Sequence, residues 1–482
     1  MLELIFLLPL LTGIISLFLP LNIGRPMLLI VALLHVQLSI MGWLGKLPVY
    51  NADFFSPQPA GMLVLLVTSF IFFWISLYTV RYIKETGMEN KPVFLGCMLL
   101  FLGTMSMVTL ADHPIVLWIA IEATTLVSAP LIFLHRSKEA LEATWKYVLI
   151  CSVGIALALL GCFFITLSID IADVDIPLTF ASLNQVAGQL DPIWLKAGFI
   201  FILIGFGTKM GLAPLHTWLP DAHSQAPSSA SALLSGALLN CAFLGIYKTH
   251  TLMVLAGLGD FSGKLLVGFG LISMLVAGIF IMRQSDYKRM LAYSSIENMG
   301  VIAFGVGIGG FALYGAILHM IHHSLIKSSL FLSAGNIMRG FGSKAVKEVG
   351  GLIKYLPKTF LSFFAGFIGI AGLPPFGLFL SELFILIGTF QAHKPVAAFL
   401  FGFSLLLVIA GAAKIVMKMS FSDKPAWQNP MTQPQQRNET FMRTFPPYVL
   451  LLASLVLCIW MPDRLYTTIA NTIQIIGGTI NG

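Results

Sequence analysis

Residues 205–235 read GFGTKMGLAPLHTWLPDAHSQAPSSASALLS. An apolar run carries one lysine, Lys209, and a Leu-Pro step follows at Leu219–Pro220, with Asp221 and His223 beside it. The chain on both sides is hydrophobic enough to require lipid. A buried ammonium next to a broken membrane helix marks a path for charge across a bilayer.

Composition points the same way. The 482 residues are 57% hydrophobic and 10% charged, whereas soluble domains carry about 25% charged residues. At about 20 apolar residues per crossing, the length allows many spans and no sizeable soluble domain. Fourteen apolar segments are expected, near 2–20, 25–45, 60–82, 93–111, 114–135, 144–168, 193–217, 228–250, 262–282, 290–309, 311–338, 360–390, 396–420 and 444–462. The eighth runs to 258 if Thr251 to Gly259 continues it. The first segment lacks a basic leader and a small-x-small cleavage site, so it is expected to be a retained helix. The predicted class is an all-α polytopic membrane protein.

The net charge of +7 invites a nucleic-acid partner, but its distribution argues otherwise. With fourteen spans the termini share a side. Loops on the opposite side hold 19 Lys and Arg, including RYIKETGMENK, RSKEALEATWK, RQSDYKR and the run 339–358, and loops on the terminal side hold 5. The positive-inside rule therefore predicts both termini outside. The 170–191 loop, with four aspartates and no basic residue, agrees. The five cysteines are isolated and form no CxxC, and HExxH is absent. No metal, iron–sulfur cluster or other cofactor is expected in this chain.

Two segments are interrupted, one at Leu219–Pro220 and one at GLPPFG, 372–377. Proline removes a backbone donor and clashes one turn back. The freed groups must face protein or water rather than lipid. The breaks lie five segments apart, and an odd offset makes the two helices antiparallel. That pattern predicts two inverted five-helix repeats. The expected organisation is N-terminal helices in 1–92, a first repeat in 93–250, a second in 262–420, and a loop, last span and short tail in 421–482.

Ionisable residues inside these segments need a reason, since a charge at mid-membrane costs about 2.5–3.5 kcal/mol on insertion scales. Glu122, in WIAIEATTLVS, and Lys209 are expected to pair, and moving Glu122 away would make Lys209 release its proton. A static structural ion pair is the alternative. His319, His323 and Lys327, in YGAILHMIHHSLIKSSLF, are spaced i, i+4, i+8 and so share a face. Imidazole passes protons between its two nitrogens near neutral pH, so the stripe reads as a proton relay. His322 lies off it. A haem site is the weaker reading, because no second helix offers matching histidines. Glu382, in GLFLSELFIL, stands after the second break and is placed to accept or release a proton. Lys248 snorkels if its helix stops near 250 and is interior if the helix runs on. His216, Pro220, Asp221, His223, Pro374 and Pro375 are candidate channel or hinge residues.

These stretches carry a family resemblance. TKMGLAPLHTWLPDAHSQAPSSASALLS, SDYKRMLAYSSIENMG, HMIHHSLIKSSLFLSAGNI and GLPPFGLFLSELFIL resemble the antiporter-like subunits shared by respiratory complex I, Mrp-type cation/proton antiporters and membrane-bound [NiFe] hydrogenases. The resemblance spans about 112–418. It implies a proton-translocating membrane subunit without its own redox centre. Partner subunits would carry the NiFe centre and iron–sulfur clusters, beside further antiporter-like subunits. The family's fifth-helix glutamate falls on Glu122, its broken-helix lysine on Lys209, its central histidines and lysine on His319, His323 and Lys327, and its twelfth-helix ionisable group on Glu382. Several members carry a lysine or histidine on the eighth helix that links the two halves. Here the equivalents are neutral, Ser235 and Asn240, which leaves that step to Lys248. The 219–248 run is most similar to the hydrogenase-4 component F group, and the chain ends too soon after its last span for the long lateral helix of the largest complex I subunit. The expected function is the ion-pumping membrane subunit of a group 4 hydrogenase or formate hydrogenlyase-type complex in a bacterial or archaeal inner membrane, with H+ as the transported ion and Na+ as the alternative. An Mrp antiporter or complex I subunit is the alternative within the family. Outside it stand a stand-alone secondary transporter and a haem- or quinone-bearing enzyme, the latter recognisable by a Soret band or bound quinone.

Overall fold

A computed structural model describes residues 1–85, 91–422 and 439–478. Residues 86–90 of the first basic loop, the 423–438 stretch before the last span and the final four residues lie outside the described residues. Helices follow in the order α1 Leu4–Ser16, α2 Leu21–Trp43, α3 Pro59–Glu85, α4 Lys91–Leu110, α5 Pro114–Ile132, α6 Lys138–Ile171, α7 Phe180–Gln185, α8 Pro192–Met210, α9 Trp218–Gln225, α10 Ser228–Leu233 and α11 Leu239–Leu255. They continue as α12 Gly259–Ile281, α13 Tyr287–Ile308, α14 Gly310–Phe341, α15 Leu352–Tyr355, α16 Pro357–Ile370, α17 Gly377–Gln391, α18 Pro395–Phe421, α19 Phe441–Ile459 and α20 Asp463–Gln474. Eleven helical stretches among the described residues are long and apolar enough to cross a membrane. The others are shorter or, like α14, more polar. The protein is a multi-pass membrane protein, and the expected fourteen segments each correspond to a helix or helix pair.

In the element order one broken pair, α8/α9, follows α4, α5 and α6, and a second, α16/α17, follows α12, α13 and α14. α10 and α11 are joined by one π-helical turn, Leu234–Leu238. Side-chain caps set several helix starts. Asp191 accepts from the amides of Ile193 and Trp194 at 3.0 and 3.1 Å, and Asp286 from those of Lys288 and Arg289 at 2.8 and 3.1 Å. Each satisfies donors that a helix N-terminus leaves open. Within lipid, small residues let helices approach closely. At Gly161, Gly198 and Gly205 an added Cβ would lie within 3.0 Å of a carbonyl oxygen on the facing helix, α6 or α8. Those contacts hold the Lys209 helix hard against α6.

The first interruption is not at Leu219–Pro220. α8 ends at Met210, Gly211 takes φ +84°, and α9 begins at Trp218. Pro220 lies in the first turn of α9, where a missing N–H needs no partner. The left-handed glycine and Pro214, both shortly after Lys209, stop the helix instead. The break's backbone groups are met by protein. Trp218 Nε1 donates to the Thr208 carbonyl at 2.8 Å, and the Ala213 amide donates to Ser273 Oγ at 2.8 Å. The second interruption is at 371–376, as expected, with Gly372 at φ +60°. The eighth span runs to Leu255, which makes Lys248 interior, 4% exposed. The tail holds an unexpected amphipathic helix, α20. It is fastened by Trp43 Nε1 donating to Thr468 Oγ1 at 2.9 Å and Tyr247 OH donating to the Thr472 carbonyl at 2.6 Å.

Candidate proton-transfer site

Lys209 sits in the last turn of α8 with no solvent exposure. Its Nζ donates to Thr125 Oγ1 at 2.8 Å and to Tyr147 OH at 2.6 Å, and lies 4.6 Å from the Tyr147 ring centre. Glu122 is one turn before Thr125 on α5. Its carboxylate accepts from Ser152 Oγ at 2.8 Å and from Thr125 Oγ1 at 3.3 Å. The expected direct pair is therefore a bridged one, because Thr125 gives its proton to the carboxylate and accepts from the ammonium. The i, i+3 spacing on α5 and the close packing of α6 on α8 put that hydroxyl between the two charges. Tyr147 OH continues the chain to Ser128 Oγ at 2.6 Å.

In the second half, His319, His322, His323 and Lys327 are all buried on α14. Lys327 Nζ donates to the Leu291 carbonyl at 2.6 Å and to Ser294 Oγ. His319 Nε2 faces Asn298 Oδ1 at 2.9 Å, which fixes the proton of a neutral ring on Nε2, and Nδ1 faces Ser381 Oγ at 2.9 Å. Ser381 precedes Glu382, whose carboxylate lies against Gly372. A Cβ at that glycine would overlap it. The second broken helix thus cradles Glu382. His323 has neither ring nitrogen bonded to protein. His322 is bonded to Ser454 of α19 at 3.0 Å and packs on Gly377, off the stripe as expected.

Glu297 of α13 stands outside the residues expected from the sequence. It is 2% exposed, accepts from Asn298 Nδ2, and is within electrostatic reach of both Lys327 and Glu382. An isolated carboxylate in an apolar segment is the same signal that singled out Glu122. Glu297 and Asn298 occupy the gap between Lys327 and His319.

The two halves meet through neutral groups. Ser235 Oγ is 2.8 Å from Ser295 Oγ, and Asn240 Nδ2 donates to Ser324 Oγ at 2.7 Å. His223, fully buried, stacks on Phe331 at 4.8 Å with both ring nitrogens unbonded to protein, and it too lies within reach of Lys327. Lys248 does not bridge the halves. Its Nζ donates to the Ala111 carbonyl at 2.5 Å, near Asp112.

Of the candidate hinge residues, His216 lies in the first break, 6.2 Å from the Tyr293 ring. Asp221 is an anchor on α9, 2.7 Å from Arg289 Nη1 and 3.2 Å from Lys146 Nζ. Such half-exposed pairs are worth about 0.2–1 kcal/mol each. Beside them Lys344 donates to Ser224 Oγ at 2.9 Å, and burial lowers its ammonium below the ordinary lysine value while Asp286 opposes the shift. Pro374 and Pro375 lie exposed in the second break. Among the described residues no three His, Cys, Asp or Glu side chains gather as a metal-ligand set.

Residues 111–408 match the family model described as NADH:quinone oxidoreductase/Mrp antiporter, transmembrane. The chain is 34% identical over 445 residues to a hydrogenase-4 component F homolog of Methylacidiphilum infernorum, covering 89% of this chain and 91% of that one. It is 31% identical over 332 residues to hydrogenase-4 component B of Escherichia coli, covering 66% of this chain and 48% of that longer one. In fold it is similar to a chain of the membrane-bound sulfane sulfur reductase, an archaeal respiratory membrane complex, with a TM-score of 0.86 at 21% identity over 98% of this chain and 97% of that one. The chain belongs to the NADH:quinone oxidoreductase/Mrp antiporter transmembrane family.

Proposed function

We propose that this chain is the proton-translocating antiporter-like membrane subunit of a group 4 [NiFe] hydrogenase or formate hydrogenlyase-type complex. Redox chemistry in partner subunits drives it. The observation that carries the reading is Lys209, a fully buried ammonium held by two hydroxyls and joined to Glu122 through Thr125 at a broken helix. A lysine whose only polar partners are neutral hydroxyls can change protonation state without losing its contacts. A direct ion pair would resist that change. Glu122, Lys209, Lys327, Glu297, His319 and Glu382 take and give protons in turn, and internal water closes the gaps at His223 and His323. The near-complete coverage of the component F homolog favours the hydrogenase-type complex over an Mrp antiporter or complex I. The test is isolation of the complex with this chain tagged. A large subunit with CxxC pairs should co-purify, and hydrogenase turnover in proteoliposomes should move protons. A chain that purifies alone and catalyses exchange by itself would sink the proposal in favour of a stand-alone transporter.

The orientation proposed is termini outside the cytoplasm of a bacterial or archaeal cell, from the excess of Lys and Arg in the opposite loops. A cysteine replacing Ser343, in the basic 339–358 connection, is expected to react with impermeant thiol reagents in inside-out vesicles only. Labelling in intact cells would reverse the orientation.

A further inference from the structure

We propose that Lys248 and Asp112 form a proton port that opens the first half of the protein to the face holding its termini, with α20 as part of the port's wall. The proposal deepens the proton-translocating reading above and rests on it.

The outer end of the first half is where the charge is placed. Lys248 is buried on α11, two turns short of its C-terminus, and its ammonium is held by the Ala111 carbonyl and the Phe180 ring, 5.4 Å from the ring centre. Asp112, 2% exposed, stands next to Ala111 in the short α4–α5 connection and accepts from Gln58 Nε2 of the α2–α3 connection. Burial pushes the Asp112 carboxyl above the usual carboxylate range, and Lys248 pulls it back. Lys248 and Gln58, the donor to Asp112, line a crevice of about 140 Å³ together with Asn184, Thr251 and Thr472. That is room for several waters. Asn184 Oδ1 is buried there with no protein donor, as an acceptor for water would be. A chain of polar groups thus leads from a buried ammonium to the surface, past a helix that Tyr247 ties down through the Thr472 carbonyl.

The port also has an inner stop. Phe206 is one turn before Lys209 on α8, and its ring packs on Gly245, one turn before Lys248 on α11. Because α8 and α11 run antiparallel, the ring lies between the levels of the two lysines. Protons passing between Lys209 and Lys248 must go around it. Lys248 therefore exchanges with the crevice while the ring separates it from Lys209.

A purely structural Lys248, clamping the Ala111 carbonyl, makes different predictions. Proton translocation per turnover is measured in proteoliposomes with the whole complex, for Lys248→Met, Lys248→Arg, Asp112→Asn and Lys209→Ala. The port predicts that Lys248→Met and Lys248→Arg both fall to the level of Lys209→Ala, because guanidinium keeps the clamp but does not release its proton. Normal pumping by Lys248→Arg, with Lys209→Ala inactive, overturns the port and leaves the general reading standing. Normal pumping by Lys209→Ala as well overturns the general reading itself. Independently of assembly in those variants, Asn184→Cys in a Cys458→Ser background is treated with a cationic, impermeant methanethiosulfonate from the terminal face. The port predicts modification and loss of pumping; failure of the Asn184→Cys variant to react from that face overturns it.

Discussion

Lys209→Ala is expected to reduce proton translocation to background while the complex still assembles. Without the ammonium, Thr125 and Tyr147 lose a donor but keep their other bonds, and Glu122 still accepts from Ser152 and Thr125. The substitution therefore removes a transferable proton while Glu122, Thr125 and Tyr147 each keep a hydrogen-bond partner. Lys209→Arg is expected to fail as well. Its fork keeps a positive charge but does not give up a proton in the physiological range. Thr125→Ala separates the two effects. It cuts the hydroxyl link between Glu122 and Lys209 and is expected to slow pumping more than it disturbs assembly. The measurement is proton uptake or release per turnover in proteoliposomes, with electron transfer assayed separately. Normal pumping by Lys209→Arg would make Lys209 a structural charge.

The other large effect is expected at Glu382. Glu382→Gln keeps the side chain's size and its packing against Gly372 but cannot carry a proton, so translocation should stop. Glu382→Asp should keep part of it. Glu297→Gln should behave like Glu382→Gln, because Glu297 fills the interval between Lys327 and His319 and lies within reach of both Lys327 and Glu382. His323→Ala should interrupt transfer, since a ring with no protein partner in a buried position is free to bind water on both nitrogens. His322→Ala should do less, because that ring is committed to Ser454. If Glu382→Gln and His323→Ala both pump at the normal ratio, the path through the second half lies elsewhere.

Membrane burial made much of this protein legible in its residue order. A charge in lipid is costly, so each of Glu122, Lys209, His319, His323, Lys327 and Glu382 stood out singly in an apolar run. The same cost made the apolar segments countable, and Gly and Pro marked two broken helices. What lies between those charges was not legible. Thr125, Tyr147, Ser294, Asn298 and Ser381 are neutral and cheap to bury when bonded, so they leave no comparable mark. Only helix packing shows that a hydroxyl separates Glu122 from Lys209, and that Glu297 on a second helix lies within electrostatic reach of both Lys327 and Glu382. The position of the first break was likewise a tertiary matter. Pro220 is harmless in the first turn of α9, while Gly211, Trp218 and Ser273 together stop the preceding helix and satisfy what it leaves open. Lys248 and Asp112 are far apart in the chain and unremarkable as a pair there. They meet because α11, running to Leu255, carries Lys248 to the α4–α5 connection, and only folded helices of that length bring the two together.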